Sequence, residues 1–300
     1  MTNIQIQPLT TWPEMVALAE VQRQVWANSP EYVIQPHWLL SIASNGGLVL
    51  GAWDGDQLVG GAVATLGAAS ADENRPAMAN LKLNSELVVV HEAYRHQGIG
   101  YHLKLAEYHF AARRGIRLMT WVFDPLHGEY AHITVRKLGA VIDQYYPDYY
   151  PVPPQAAGVP ASRDRVQADW WLTSERALQR IRKGRAPLTL AQYLDGGTCI
   201  LNPSTFDDRL LPVPGDDFLQ PPGALGLIEI PSRLNLIEQA DAGLAQAWRE
   251  HIRAVLITVM SQGFILTDFV HETYKGLLRS FYVCSHQEAL RKFDRSFNQN

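Results

Sequence analysis

The sequence has 300 residues, of which 47% are hydrophobic and 19% charged. This length can bury a large core and exceeds the usual single domain of about 100 to 200 residues. A formal net charge of −4 provides no basic field for phosphate backbones or anionic lipids, so we expect no nucleic-acid or membrane partner. Cys199 and Cys284 lack the spacing of a zinc site, which predicts no metal, and the absence of long apolar runs and of a leader pattern predicts a cytoplasmic protein.

Apolar spacing predicts alternating strands and helices over the first 172 residues. The predicted elements are, in chain order, a strand at 4–8, a helix at 11–25, a helical segment at 36–44, a hairpin of strands 48–53 and 58–66, a loop at 67–80, a strand at 81–90, a helix at 99–114, a strand at 118–123, a helix at 129–138, a strand at 140–146, an irregular tract at 146–160 and a strand at 166–172. This order predicts an α/β fold (α+β with a mixed sheet).

The rest of the sequence predicts a smaller C-terminal β-α-β-β unit. A helix at 174–183 precedes a connector rich in Pro, Gly and Asp, and the unit itself consists of a strand at 225–230, a helix at 241–262 and strands at 264–270 and 277–284. We therefore divide the chain into a domain at 1–173, a helix and irregular connector at 174–224, and a C-terminal α/β unit at 225–300.

A glycine-rich turn separates the apolar strand ending at Val90 from the helix that follows it. Consecutive backbone N–H groups at a helix N-terminus bind pyrophosphate, and glycine lets a phosphate approach the main chain closely. Arg95 would add positive charge at the entrance of the turn. The candidate N–H donors are Gln97, Gly98, Ile99, Gly100 and Tyr101. The alternative is that Gly98 and Gly100 only permit a tight turn.

The pattern Arg-x-x-Gly-x-Gly, present here as RHQGIG between a strand and a helix, resembles motif A of the GNAT acyltransferase superfamily. The order of elements from Ile4 to Leu172 resembles that family's fold, so the resemblance covers somewhat more than half of the chain. Phe123-Asp124-Pro125-Leu126 and the C-terminal unit resemble a group of larger GNAT proteins. The turn lacks the glycine spacing of the Rossmann fingerprint and the Gly-Lys-Ser/Thr of a Walker A loop.

The resemblance implies that the chain binds acetyl-CoA or another acyl-CoA and transfers the acyl group to an amine. It implies that the strand ending at Val90 diverges from the strand at 118–123, and that the thioester lies beside Val88. The pantetheine arm would pair with the main chain of Leu87, Val88, Val89 and Val90. The cofactor-binding residues of the turn would be Arg95, His96, Gln97, Gly98, Ile99, Gly100 and Tyr101.

Aminolysis of a thioester needs a neutral amine, a donor for the oxyanion and a proton for the departing thiolate. The resemblance implies that a main-chain N–H within 87–89 serves the oxyanion. Glu86 lies next to this stretch and is the candidate general base, acting directly or through water. The alternative is a solvated carboxylate, because the facing of a strand residue depends on its register.

The sequence departs from the family's proton-donor pattern, Asn-x-x-Ala-x-x-x-Tyr-x-x-x-Gly. Counted from Ala131, the tyrosine position is Val135 and the asparagine position is Gly128. We take Tyr130 as the candidate catalytic substitute, with His132 and Tyr101 as alternatives.

Two further positions are candidates for ligand contacts. Asp124, at the end of the strand at 118–123, is the candidate residue for binding a substrate ammonium group, since ligands favour the carboxyl ends of strands where a sheet divides. The alternative is that it caps the following turn. Arg136 and Lys137 are candidates for a coenzyme A phosphate, and on an exposed helix face they would instead be solvated.

These observations predict an acyl-CoA-dependent N-acyltransferase with acetyl as the default acyl group. The alternative is a non-catalytic acyl-CoA-binding or sensing protein, because Val135 stands at the tyrosine position and the chain carries a large extension. A third interpretation makes the C-terminal unit an interaction or dimerisation module, for which a homodimer is the expected assembly. The acceptor stays open among small amines, amino acids, antibiotics and protein side chains.

Overall fold

The computed structural model describes residues 4–26, 29–69, 80–150, 163–182 and 186–287. These residues form two compact units. The first contains the described residues up to 121 together with 171–173, and the second contains 122–150, 163–170 and the described residues from 174 onwards. Most of the predicted loop at 67–80 and of the tract at 146–160 lies outside the described residues.

The first unit is a five-stranded mixed sheet with helices packed on it. Its elements are β1 (Ile4–Pro8), α1 (Trp12–Val25), α2 (Pro36–Ser44), β2 (Leu48–Asp54), β3 (Gln57–Ala68), β4 (Leu81–Val90), α3 (Ile99–Arg113) and β5 (Leu118–Phe123), whose last two residues belong to the second unit. The strands lie side by side in chain order. Neighbours are antiparallel except for β4 and β5, which are parallel. These elements agree with the predicted α/β fold.

The core of the first unit forms where α1 packs on the sheet. Thr11 and Glu14 form a capping box that fixes the start of α1. Met15 and Leu18 are fully buried on the face of α1 that meets Leu87 and Val89 of β4. Complete burial of each such side chain stabilises the fold by roughly 1.5–3 kcal/mol. The apolar spacing of the sequence therefore determines which face of α1 lies against the sheet.

A buried polar cluster joins α3 to β4. The ammonium of Lys104 donates to the hydroxyl oxygen of Ser85 at 2.6 Å and lies 3.1 Å from Oε2 of Glu107. The Ser85 hydroxyl in turn donates to Oε1 of Glu107 at 2.7 Å. The Lys104 ammonium also lies 3.9 Å from the centroid of the Trp121 ring, a cation–π contact. The side chains of Lys104 and Glu107 are 2% and 0% exposed, so the pair is shielded from water.

Burial opposes the charged form of both members of this pair. Desolvation lowers the pKa of Lys104 and raises the pKa of Glu107, while their mutual attraction acts in the opposite direction on each group. A buried ion pair of this kind contributes little net stability, but a single unpaired buried charge is very unfavourable. The two residues therefore depend on each other.

The second unit contains the strands that follow β5 in the chain. Its elements are α4 (Gly128–Ala131), a π-helical segment (His132–Lys137), β6 (Val141–Tyr146), β7 (Arg165–Trp171), α5 (Glu175–Ile181), α6 (Leu190–Asp195), β8 (Cys199–Ile200), β9 (Thr205–Phe206), β10 (Pro212–Val213), β11 (Leu225–Ile230), α7 (Leu234–Ala240), α8 (Ala242–Ser261), β12 (Phe264–Tyr274) and β13 (Leu277–His286). Its main strands follow the order β7-β6-β12-β13-β11-β8, and β9 pairs with β10.

The long helix α8 supplies much of the core of the second unit. Asp241 caps its N-terminus by accepting from the backbone N–H of Leu244 at 3.0 Å, and Gly263 follows its end with φ of +82°. The side chains that the sequence aligns on one face, including Trp248, Ile252 and Val255, are fully buried. The 3.6-residue period therefore predicted both the helix and its buried face.

The structure differs from the predicted elements in three places. The regular helix predicted at 129–138 is one α-helical turn followed by a π-helical segment. Two helices, α7 and α8, stand where one was predicted between β11 and β12. The predicted irregular connector contains α6, which begins with a capping box of Thr189 and Gln192. The sequence pattern Thr-x-x-Gln is typical of a helix start, but the proline and glycine residues on either side of it favoured an irregular connector.

We predict that Lys104→Met lowers the free energy of unfolding by about 3–5 kcal/mol, because it leaves the Glu107 carboxylate buried without its counter-charge. Combining it with Glu107→Leu should recover most of that loss, since no charge then stays buried. Urea denaturation of both variants measures the difference. Arg23→Met, which breaks the exposed pair of Arg23 with Glu20, is the control and should cost about 1 kcal/mol or less. A double variant as unstable as Lys104→Met would contradict the prediction.

Candidate functional site

The strands β4 and β5 pair along only part of their length. Their ladder joins Lys82–Asn84 to Leu118–Thr120 and, within the residues that the structure describes, does not continue past Asn84. On its opposite edge, β4 stays paired with β3 as far as Val90. The edge of β4 from Ser85 to Val90 that faces away from β3 therefore opens where the ladder with β5 ends, which is the divergence that the family resemblance implies.

A β-bulge at Glu86 lies at the start of this open edge. Val63 of β3 is opposite Leu87, whereas the next residue, Ala64, is opposite Ser85, so Glu86 is the extra residue of β4. A bulge re-aims the side chains that follow it. Ser85 accordingly meets α3, through Lys104 and Glu107, whereas Leu87 packs in the core with α1.

The bulge also fixes the position of the predicted general base. Glu86 is exposed, and its Oε1 accepts from the hydroxyl of Thr65 at 2.7 Å and from the side-chain amide of Asn84 at 2.6 Å. Thr120 of β5 donates to the other end of the Asn84 amide at 3.0 Å. The carboxylate is therefore held in one orientation at the point where β4 and β5 separate. Whether Glu86 acts as a base stays a prediction.

The glycine-rich turn follows β4 and leads into α3. Gly98 precedes the first residue of the helix with φ of +81°, a left-handed conformation that favours glycine. Gly100 has no such backbone requirement. Apart from its chain neighbours and the backbone of its own helix, the described residues bring only Cγ1 of Val88 within 4.0 Å of a Cβ added there. The fold therefore requires glycine at position 98 but not at position 100. An approaching ligand would explain the small residue at 100.

The backbone of the turn presents N–H groups at the positive end of α3. The first hydrogen bond within the helix runs from the N–H of His102 to the carbonyl of Gly98, so the N–H groups of Ile99 and Gly100 have no acceptor inside the helix. His96, Gln97 and Gly98 are exposed. Arg95 folds back, and its Nε donates to the carbonyl of Val90 at 3.4 Å.

The first unit thus contains both predicted parts of the acyl-CoA site and the predicted base. They are Glu86, the edge residues Leu87, Val88, Val89 and Val90, and the turn residues Arg95, His96, Gln97, Gly98, Ile99, Gly100 and Tyr101. Tyr101 lies in the first turn of α3, and desolvation raises the pKa of its hydroxyl. It therefore stays protonated at neutral pH and has a proton to give.

Asp124 belongs to the second unit and already has structural partners there. Its Oδ1 accepts from the backbone N–H of Leu126 at 2.9 Å, which closes the turn after β5. Its Oδ2 lies 3.3 Å from Nη1 of Arg249. Both carboxylate oxygens are therefore engaged, as the turn-capping interpretation expects. The role of Asp124 in substrate binding stays a prediction.

The candidate proton donors Tyr130 and His132 are also in the second unit. Tyr130 stacks on His127 with ring centroids 5.9 Å apart and lies 5.3 Å from Phe123. Desolvation, supported by the positive charge of Lys137, lowers the pKa of His132 to about 4, so this imidazole is neutral at neutral pH. Val135, at the family's tyrosine position, is 0% exposed. Tyr130 and Tyr101 therefore remain the better candidates for the proton donor.

Sequence reasoning identified neither the buried Lys104–Glu107 pair nor the ion pair of Arg136. Lys104 and Glu107 lie beneath β4, although Glu107 shares the apolar stripe of α3 with Leu103 and Phe110, and a charge inside such a stripe is a detectable signal. Arg136, considered for a coenzyme A phosphate, is an ion-pair partner of Asp268 with an Nη1 to Oδ2 distance of 3.1 Å. The alternative prediction, that the Arg136 side chain is solvated, is wrong because this side chain is only 11% exposed.

A cavity of about 310 Å³ in the second unit contains none of the predicted site residues. Leu210, Leu236 and Leu278 contribute apolar lining, and Arg279 and Glu229 form an ion pair within it. The predicted site lies instead along a strand edge beside a helix N-terminus, in the first unit.

The described residues were also compared with the requirements of a membrane-spanning helix and of a metal site. None of the helices that the structure describes combines the length and the apolar character needed to span a bilayer. Across the same residues, no group of three or more His, Cys, Asp or Glu side chains is arranged to hold a metal ion.

Comparison with known protein families finds a match over part of the chain. Residues 12–139 match the Acetyltransferase (GNAT) family. This segment includes β4, the glycine-rich turn and α3, which are the elements that form the candidate site. No curated protein matches the chain.

Solved structures of acetyltransferases are similar to slightly more than half of the chain. The ribosomal-protein-S18-alanine N-acetyltransferase from Escherichia coli is 13% identical with a TM-score of 0.44, and the similarity covers 57% of this chain and 95% of that one. A GNAT family acetyltransferase from Elizabethkingia anophelis, solved with acetyl-CoA bound, is 17% identical with a TM-score of 0.40, with 57% and 99% covered. An IAA acetyltransferase from Bacillus cereus is 16% identical with a TM-score of 0.40, with 56% and 98% covered.

We predict that alanine has opposite effects on stability at the two glycines of the turn. Gly98→Ala should destabilise the protein by about 1–2 kcal/mol, because a Cβ is strained in the left-handed conformation. Gly100→Ala should leave stability unchanged or raise it by up to about 1 kcal/mol, because alanine favours the helix and meets no close atom. Urea denaturation measures both values. A loss above about 1 kcal/mol for Gly100→Ala would show that the fold itself requires that glycine.

Proposed function

We propose that the chain is an acyl-CoA-dependent N-acyltransferase whose donor is acetyl-CoA, a proposal supported by the match of residues 12–139 to the Acetyltransferase (GNAT) family. The observation that carries the proposal is the space above Gly100, which lies between a helix N-terminus and the open edge of β4. A diphosphate needs the N–H groups of a helix N-terminus, and the amide-bearing pantetheine arm needs an unpaired strand edge.

In the proposed complex, the pantetheine amides pair with the backbone of Leu87–Val90 along the edge that β5 leaves open. The diphosphate accepts from the backbone N–H groups at the start of α3, where the helix dipole favours negative charge. Gly100 allows the phosphate to approach the main chain. Val88, whose Cγ1 is the atom nearest to Gly100, is the expected neighbour of the thioester.

The proposed reaction is direct aminolysis. The acceptor nitrogen attacks the thioester carbonyl, and a main-chain N–H within 87–89 stabilises the oxyanion. Glu86 takes the amine proton directly or through water, and its hydrogen bonds from Thr65 and Asn84 keep the carboxylate in place. The C–S bond then breaks, and the departing thiolate takes a proton from a donor. We propose Tyr130 as that donor, with Tyr101 as the alternative.

The alternative function is a non-catalytic acyl-CoA-binding or sensing protein. The observation that favours it is Val135, which fills the family's tyrosine position and is fully buried, so that no hydroxyl is available there. A sensor would bind acetyl-CoA and release no thiol with any amine, which separates the two functions in one assay.

We further propose that the acyl-CoA-binding domain extends over 1–173, that 174–224 connects it to the C-terminal unit at 225–300, and that this unit mediates a homodimer. The compact units divide the chain elsewhere, at residue 121. We place the protein in the cytoplasm, because Cys199 and Cys284 are both free thiols, as is usual in a reducing compartment. Sizing the full chain against residues 1–173 tests the dimer.

We predict that Gly100→Val weakens acetyl-CoA binding by about tenfold or more, because the added isopropyl group occupies the space that the phosphate needs. Calorimetric titration with acetyl-CoA, longer acyl-CoAs and free coenzyme A measures the effect and the preferred acyl chain. Gly223→Val is the matched control, because no atom lies within 4 Å of a Cβ at that glycine. Unchanged affinity in a folded Gly100→Val variant would disprove the phosphate site.

We predict that Glu86→Gln lowers kcat by about 10²-fold or more and leaves the Kd for acetyl-CoA unchanged, because the amide keeps the shape of the side chain but accepts no proton. Thiol release with the best acceptor from a panel of primary amines measures turnover. Glu31→Gln, at an exposed carboxylate in the same unit, is the control. Full activity of Glu86→Gln would remove Glu86 from the mechanism.

A further inference from the structure

The second unit contains a buried cluster in which one carboxylate faces three cationic side chains. Oδ2 of Asp268, in β12, lies 3.1 Å from Nη1 of Arg136 and 2.9 Å from Nη2 of Arg180. The hydroxyl of Tyr193 donates to the same oxygen at 3.1 Å. Oδ1 accepts from the backbone N–H of Phe269 at 2.9 Å. Asp268 is only 6% exposed, so its carboxylate oxygens accept hydrogen bonds from groups of the protein.

Arg176 is the third cation and pairs with no carboxylate among the residues that the structure describes. Its Nε donates to the carbonyl of Gly139 at 3.1 Å. Desolvation lowers the pKa of Arg176 to about 10, with Asp268 raising it and Arg180 lowering it further. Arg136, Arg176 and Arg180 thus share the single charge of Asp268, and the cluster carries an excess of positive charge away from water.

Two guanidinium nitrogens of this cluster have no hydrogen-bond partner within the part of the chain that the structure describes. They are Nη2 of Arg176 and Nη1 of Arg180, both of which are buried and lack an acceptor among the residues that the structure describes. The two arginines are four residues apart on α5, so they lie on the same side of that helix. Buried donors without acceptors are rare in native proteins, and an unseen ion or water usually accounts for them.

We propose that Arg176 and Arg180 bind an oxyanion, the carboxylate or phosphate group of a small molecule, at these two nitrogens. Guanidinium groups recognise such groups through paired N–H donors, and both donors here are already fixed. The anion supplies the negative charge that Asp268 alone does not provide. This binding site is separate from the proposed acyl transfer and does not depend on it.

The competing explanation is that water alone satisfies the two donors. Water would complete the hydrogen bonds but would leave the excess positive charge uncompensated, and a buried charge without a counter-charge is strongly destabilising. An oxyanion satisfies both requirements at once. Saturable stabilisation by an anion therefore distinguishes the two explanations.

The test is titration of the full chain with inorganic phosphate and with acetate, each against sodium chloride at matched ionic strength. Calorimetry should give saturable binding with a submillimolar Kd, and saturating anion should raise Tm by about 5 °C, because the ligand binds the folded state alone. Binding of phosphate only or of acetate only supports the site and identifies its ligand class. No saturable binding of either anion, or an equal effect of chloride, overturns the proposal.

Substitutions of the two arginines test whether the anion binds at their side chains. Arg176→Gln and Arg180→Gln should each weaken binding by about tenfold or more, since each removes one charged donor. Arg182→Gln, at an exposed arginine beside the same helix, should bind the anion as the unmodified protein does. If either glutamine variant fails to fold, Arg180→Lys, which keeps the charge but loses the forked donor, should still bind more weakly. Unchanged affinity in folded Arg176→Gln or Arg180→Lys overturns the assignment.

Discussion

The β-bulge at Glu86 is the constraint on which the candidate site depends. A regular strand would place Ser85 and Leu87 on the same face of the sheet. The extra residue instead lets Ser85 meet the buried ion pair of α3 while Leu87 enters the core beneath α1. It also places the Glu86 carboxylate, exposed and hydrogen-bonded, where the ladder between β4 and β5 ends. One inserted residue thus connects the core, the open strand edge and the candidate base.

The Lys104–Glu107 pair explains how α3 keeps its position against a strand that is paired on only one edge beyond Asn84. Apolar contacts alone would tolerate small shifts of the helix, because they have no direction. The hydrogen bonds that link Lys104, Ser85 and Glu107 are directional, and breaking any of them leaves a polar group buried. The start of α3, which carries the candidate phosphate site, is therefore held in a fixed relation to β4.

The sequence predicted the strands and helices of the first unit well, because their apolar periods are long and their turns carry clear signals such as Asp54-Gly55 and Gly98. It also predicted the strand, the glycine turn and the helix that form the candidate phosphate site, because their succession is encoded locally. The facing of Glu86 could not be predicted, because a bulge is visible only in the pairing with β3. The partners of Asp268 are 75 to 132 residues away in the chain, and no local pattern reports such contacts.

The Lys104–Glu107 cluster and the Asp268 cluster differ in charge balance, and this difference separates a structural role from the proposed ligand binding. In the first unit, one ammonium meets one carboxylate, and the hydroxyl of Ser85 joins them. In the second, three guanidinium groups meet one carboxylate and two of their nitrogens have no acceptor among the described residues. A balanced cluster needs nothing further to be stable in a low-dielectric interior, whereas an unbalanced one needs a counter-charge. The excess positive charge at Arg176 and Arg180 is therefore the charge that the proposed anion would neutralise in the second unit.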